Sequence, residues 1–343
     1  MDDFKIDIIV PFHVVNDLLN ASVRSVKASL NVNIRIIGVN DTGNIVSKEM
    51  VGLSDSDVLV FNLGKGYLDA LATGVAHIES QFTGFQDSDD FTDPLRFFNQ
   101  LTYLVEGNYD LVTGQLVKTN PVGESLQTRS VFGNLPASLT PSQKLIFGPH
   151  GADSTIVAKS SLIKDSWHLH KTFSSTFADY GWLLTVLPQI SIGHCSKAIY
   201  YYRAHHSQMS RRAKDVSGWN HLREVWLQNF AHVIDSDKAD INKLIENFEI
   251  YEKLSLALAF PAALPKMNRK ERRLFVDIIT EMPRLFSFKN KSDLRIFRTL
   301  LARRGFFLTR GRVLKYWPQV VPIVYSLTIS IIKGVRPRFN RSV

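Results

Sequence analysis

The segment Gly84-Phe85-Gln86-Asp87-Ser88-Asp89-Asp90 places three carboxylates within four residues, at the end of a strand-like run. Asp87 and Asp89, separated by one residue, can both turn toward a point beyond the strand end. Hard oxygen ligands placed this way suit Mg²⁺ or Mn²⁺, and an ion held there can bridge a diphosphate. Without a cation the three acids repel one another. A solvated turn is the plainer alternative, since Asp and Ser favour turns in any protein. Other site patterns are missing. Gly64-Lys65-Gly66 lacks the length and the Lys-Ser/Thr end of a phosphate-binding loop, and no Gly-X-Gly-X-X-Gly fingerprint occurs. His168 and His170 are two apart, not the i, i+4 spacing of a helix-borne metal site. No Gly-X-Ser-X-Gly nucleophile elbow is present.

Residues at strand ends need a scaffold, and the first 115 residues supply its pattern. Short β-branched runs at Ile6–Val10, Ile34–Val39, Val58–Asn62, Thr83–Gln86 and Leu111–Thr113 read as strands. Between them Asp17–Leu30 carries Leu18, Leu19, Val23, Val26 and Leu30 at helical spacing, and Tyr67–Glu79 carries Leu68, Leu71, Ala72, Val75 and Ile78 on one face. This β-α-β-α-β order predicts an α/β fold with a mixed, mostly parallel sheet flanked by helices, whose ligands sit at the carboxyl ends of the strands. Asn120–Ser142, rich in Pro, Ser, Thr and Gly, reads as a long loop. Strand-like Thr155–Ala158, helix-like Thr176–Leu187 and strand-like Ala198–Tyr202 follow.

With 343 residues, 45% of them apolar, the chain can bury a substantial core, and fibrous or wholly disordered classes are excluded. A single cysteine rules out an intramolecular disulfide framework and a Cys-rich zinc site. The start shows no basic and apolar leader, so the cytoplasm is the expected location. Charge is uneven. Residues 211–343 hold 26 Lys and Arg against 12 Asp and Glu, a balance of +14, while residues 1–210 stand at −5. We therefore divide the chain into an α/β domain, 1–210, and a basic, mainly helical region, 211–343. The second faces an anionic partner or is an ordinary solvated helical surface. Tyr316–Ile332 is largely apolar with basic flanks. It suits a helix lying in a membrane interface, with a core or oligomer-contact helix and a true span as alternatives. No nucleic-acid reading motif occurs in this region, and no nucleic-acid partner is expected.

The order of motifs resembles glycosyltransferase family 2, the inverting enzymes of the GT-A (Rossmann-like) fold. Ile8-Ile9-Val10-Pro11-Phe12-His13 stands where the family has its Pro-X-Tyr-Asn-like turn, and Val39-Asn40-Asp41-Thr42-Gly43 where it has Val-Asp-Asp-Gly-Ser. Gly66-Tyr67-Leu68-Asp69-Ala70-Leu71-Ala72-Thr73-Gly74 looks like its Gly-X-X-X-Ala-Arg-Asn-X-Gly segment, and Gln86-Asp87-Ser88-Asp89-Asp90 its Leu-Asp-Ser-Asp-Asp motif. Further on, Ala178-Asp179 matches the Glu-Asp pair, and Tyr202-Arg203-Ala204-His205 the Tyr-Arg-X-His stretch. The likeness covers roughly residues 4–212. Departures are Asn40 for the first Asp of its pair, Leu71 and Ala72 for Arg-Asn, and Ala178 for Glu.

The resemblance implies transfer of a sugar from a nucleotide-sugar, most simply a UDP-sugar, to a glycan or lipid-linked acceptor in cell-surface polysaccharide synthesis of bacterial type. It implies Asp87, Asp89 and His205 around Mn²⁺ or Mg²⁺, and Asp179 as catalytic base, although Asp at a helix start is also a common N-cap. Asp41 can accept the N3–H of uracil with Pro11 and Phe12 walling the base; an Asx-turn within Asn40–Gly43 is the alternative. Ser88, Lys65, Arg203 and Arg211 are candidate donor neighbours, and His150 and Asp153 candidate acceptor-cleft residues. The expected place of work is the cytoplasmic face of the membrane, held peripherally by the basic region, which can instead build a homo-oligomer. A catalytically inactive, glycosyltransferase-like binding or scaffold protein is the alternative that the departures raise.

Overall fold

The computed structural model describes residues 4–62, 66–120, 122–124, 153–173 and 178–205, together with His221 and Val225. Its strands are β1 (Lys5–Phe12), β2 (Asn33–Asn40), β3 (Val58–Phe61), β4 (Phe82–Phe85), β5 (Phe91–Thr92), β6 (Leu111–Thr119), β7 (Ile156–Lys159) and β8 (Ile192–Arg203). They form one sheet in the order β3-β2-β1-β4-β7-β6-β8-β5. β3, β2, β1 and β4 are parallel, as are β6 and β8, whereas β7 runs antiparallel to both its neighbours and β5 antiparallel to β8. The sheet is thus mixed and mostly parallel, as the element order predicts.

Strand β1 is buried at every position after Lys5, as a central parallel strand covered on both faces must be. On one face lies helix α1 (Asp17–Lys27), begun by the Asn16 side chain, which accepts from the Leu19 N–H at 3.0 Å. Asp17 in its first turn and Arg24 and Lys27 in its last complement the helix dipole. Leu19, Val23 and Val26 pack with Ile6, Ile8, Val10 and Ile36 in the main core. Helix α2 (Tyr67–Val75) lies close against β1 and β2 through Gly74, where a Cβ would meet Ile9 Cγ2 at 2.6 Å and Val39 Cγ2 at 3.1 Å. Both helices end earlier than their periodicity suggests.

Strand β5 and the helices Arg96–Glu106 and Ser160–Ser166 lie outside the expected set. Helix α3 (Arg96–Glu106) escapes the periodicity because its buried face interleaves Arg96 and Gln100 with Phe97, Leu101 and Leu104. Strand β5 has only two residues. Helices α4 (Ser160–Ser166) and α5 (Ala178–Val186) flank a 3₁₀ segment, Trp167–Thr172. Among the described residues no helix is long and apolar enough to cross a membrane. Tyr316–Ile332, most of the loop 120–142 and nearly all of the basic region lie outside the described residues.

Candidate active site

The carboxyl ends of β1, β2, β3 and β4 converge on one edge of the sheet, and the motif residues stand there. Pro11 and Phe12 close β1 and are buried. The Asp41 N–H donates to Phe12 O at 2.8 Å, fixing the exit from β2. The turn expected over Asn40–Gly43 is made by Asn40, whose Oδ1 accepts from the Thr42 N–H at 2.9 Å and its hydroxyl at 2.7 Å. This frees the Asp41 carboxylate for other partners. Its Oδ1 accepts from Asn62 Nδ2 at 2.6 Å, and the Gly66 N–H reaches both oxygens at 3.2 and 3.1 Å.

At the end of β4 the acidic residues take separate roles. Asp90 is fully buried; its Oδ2 accepts from the Tyr200 hydroxyl at 2.6 Å and its Oδ1 from the Arg203 N–H at 2.7 Å. Asp87 accepts from Tyr200 through Oδ2 at 3.2 Å and from Tyr67 through Oδ1 at 3.4 Å. Asp89 turns the other way and meets His205, Nε2 to Oδ2 at 2.8 Å. Antiparallel pairing of β5 with β8, Phe91 opposite Tyr201, lays the Tyr200–His205 stretch beside the motif and makes these contacts possible. Phe91 stacks on Tyr201, and the Arg203 guanidinium lies over the Phe91 ring.

Crowding sets the electrostatics. Burial, with the charges of Asp89 and Asp179, pushes the Asp87 carboxyl up to about 7 against the opposing bonds of Ser154 and Tyr200. Burial and the charges of Asp87 and Asp89 push Asp90 well above the carboxylate range. Beneath them Arg96 is fully buried, donating to Phe85 O, Gln86 Oε1, Gln100 Oε1 and Ser154 O. Burial lowers its guanidinium to about 10, opposed by the charges of Tyr200 and Asp87, so it stays cationic at neutral pH and offsets the acids above it. Arg203 is likewise buried, lowered by burial against the pull of Asp90 and Asp89.

Asp179 is half-buried in the first turn of α5, one residue inside the helix and not at its cap. Its charge acts on Asp87 across the site and on His170 behind it. His170 is stacked between Trp167 and Trp182, with ring centroids 3.6 and 5.0 Å away. The structure therefore gathers Asp87, Asp89, Asp179, Arg203 and His205, with Ser88 half-buried between the first two, and sets Asp41, Pro11 and Phe12 at the adjoining strand ends. Lys65, His150 and Arg211 lie outside the described residues, and Asp153 opens a short 3₁₀ turn before β7. Sequence reasoning missed Asn62, Tyr67, Arg96, His170 and Tyr200, none of which stands in a motif with chemistry of its own.

Residues 7–167 match the family model described as glycosyl transferase family 2. No curated protein matches the chain. Among solved structures, residues 1–349 of TarS from S. aureus align with a TM-score of 0.52 at 14% identity, covering 98% of this chain and 94% of that one. The same protein in complex with UDP-GlcNAc aligns with a TM-score of 0.53 at 14% identity, over 98% of this chain and 94% of that one. Its complex with UDP gives 0.52 at 13% identity, over 99% and 94%. The fold is that of these structures, and the match to glycosyl transferase family 2, just under half of the chain, spans β1 through α4 with the acidic motif inside it.

Proposed function

We propose that the chain moves a sugar from a UDP-sugar to a hydroxyl of a glycan or lipid-linked saccharide, with inversion and with the help of a divalent ion. The observation that carries this reading is the acidic motif at the end of β4, with His205 brought against Asp89 and the charge of Asp179 felt at Asp87. The UDP-GlcNAc and UDP complexes of TarS favour a uridine donor. Among the described residues no three His, Cys, Asp or Glu side chains are gathered to hold a metal. Asp89 Oδ2 and His205 Nε2, 2.8 Å apart, are an oxygen and a nitrogen of types that can ligate a divalent ion. Asp89 and His205 would hold it, while the Asp87 carboxylate is engaged by Tyr200 and Tyr67; when bound, the ion would offset the charge that builds on the departing diphosphate.

Asp41 accepts the base N–H beside Pro11 at the end of β1; Phe12, expected to wall the ring, is instead packed into the main core with Leu19 and Val23 and braces the strand end. Asp179 takes the proton of the acceptor hydroxyl as its oxygen bonds to the anomeric carbon, on the face opposite the bond that breaks to UDP. The departures from the family pattern speak for an active enzyme over a scaffold. Asn40 makes a turn and Leu71 and Ala178 are core residues, so three of the four substitutions serve packing or turn geometry. The basic region, at +14, suits attraction to an anionic membrane surface where a lipid-linked acceptor resides. Calorimetric titration of UDP, GDP and CDP with and without Mn²⁺, into wild type and Asp89→Ala, tests the donor site. UDP binding that needs both the metal and Asp89 is expected; metal-independent binding, or none, overturns the reading. Loss of UDP-sugar hydrolysis in Asp179→Asn with UDP binding intact is the companion result.

A further inference from the structure

We propose that Asn62 is a positioning residue for base selection: it fixes the Asp41 carboxylate so that one oxygen is presented to the N–H of a uracil edge. This rests on the reading of Asp41 as the base contact given above. β2 and β3 are parallel with Asn40 opposite Phe61, and the Asn62 N–H donates to Asn40 O at 2.9 Å, extending the ladder one residue past the strands. Asp41 and Asn62 are consequently neighbours across the ladder, and two short side chains span the gap, Nδ2 to Oδ1 at 2.6 Å.

The Asn62 amide, 4% exposed, has only one sensible orientation. Its amino group faces two acceptors, Asp41 Oδ1 and Gly66 O at 3.2 Å, while its carbonyl oxygen lies 3.0 Å from the Thr73 hydroxyl. Turned over, the carbonyl would face a carboxylate and a peptide oxygen. Gly66 completes the clamp, its N–H aimed at the same carboxylate from a backbone φ of 97°, a conformation that favours glycine. Oδ1 thus receives Asn62 in addition to Gly66, and Oδ2 keeps its outward lone pairs. A carboxylate oxygen held this way accepts from uracil N3–H and repels the unprotonated N3 of cytosine. Sites built to bond one edge reject the other by leaving buried groups unpaired.

The test is a double-mutant cycle on Mn²⁺-dependent binding of UDP and CDP, measured calorimetrically for wild type, Asn62→Ala, Asp41→Ala and the double variant. Asn62→Ala is expected to weaken UDP about tenfold, the range for a hydrogen bond to a charged group, with little change for CDP and no further loss in the Asp41→Ala background. Equal weakening of both nucleotides, or an undiminished loss in that background, overturns the positioning role while leaving Asp41 as base contact. An unchanged UDP-to-CDP ratio in Asp41→Ala overturns the base reading itself, and this inference with it. If thermal melting shows Asn62→Ala unfolded, Asn62→Asp keeps the shape and the Thr73 contact, reverses the contacts to Asp41 and to Gly66 O, and carries the same cycle.

Discussion

His205 Nε2 and Asp89 Oδ2 lie 2.8 Å apart, although 116 residues separate them. Only the return of β8 beside the two-residue β5 brings them together, so the family-like Tyr-Arg-X-His stretch has a structural reason to follow the acidic motif at long range. His205→Ala is expected to weaken Mn²⁺-dependent UDP binding by about tenfold or more, the usual effect of disturbing a group on or next to a metal. The loss should shrink as the Mn²⁺ concentration is raised. A loss that added Mn²⁺ does not reduce would instead make His205 a brace for the Asp89 loop.

Tyr200 is fully buried and its hydroxyl is the shared donor between Asp90 and Asp87. Tyr200→Phe removes one oxygen and no ring packing, leaving Asp90 Oδ2 buried without that donor, which costs about 1–3 kcal/mol. Urea denaturation at neutral pH measures it. A loss below about 0.5 kcal/mol would mean that water replaces the hydroxyl and that the site is wetter than its burial implies.

Much of this site was legible in the sequence because parallel central strands must be apolar on both faces. Ile6–Val10 and Ile34–Val39 announce themselves, and the residues just past them are then the ones to examine. Asp41 and Asp87–Asp90 were found that way. Arg96 was not, because one of its partners, Ser154 O, comes from 58 residues away, and a buried arginine spoils the apolar periodicity of α3. Asn62 was hidden for another reason. Its part depends on the register between β2 and β3, and a one-residue slip would turn it to the other face.

Asp7, fully buried at the opposite end of β1 from the site, gives a stability prediction independent of catalysis. Burial alone would raise its carboxyl, but the Arg35 guanidinium at 2.9 and 2.8 Å and the N–H groups of Ser80 and Glu79 outweigh it and hold the group below its ordinary value. A depressed carboxyl stabilises the fold at pH values above its unfolded value of 3.8, and that contribution fades as pH falls through the lower folded value. Asp7→Asn should cost about 3–5 kcal/mol at pH 7, as expected for breaking a buried pair. The gap from wild type should persist to pH 5 and close only below 3.8. A gap that closes between pH 7 and 5 would show that another group controls it.

His170 titrates in a different window. Burial, against the opposing charge of Asp179, lowers its imidazole from 6.5 to about 4, so the folded protein keeps it neutral between the two tryptophans. Between those values the unfolded chain binds a proton that the folded chain does not. Stability is therefore lost as pH falls from 6.5 toward 4, by up to roughly 3 kcal/mol. His170→Phe retains an aromatic ring in the stack and removes the titration. Denaturant unfolding at pH 7 and pH 4.5 should show wild type losing stability over that interval and the variant losing less. The Asp7 contribution, confined to lower pH, should be unaffected. Parallel losses in the two proteins would mean that His170 takes up its proton as readily in the folded state as in the unfolded chain, and that the stack between the two tryptophans does not hold it neutral.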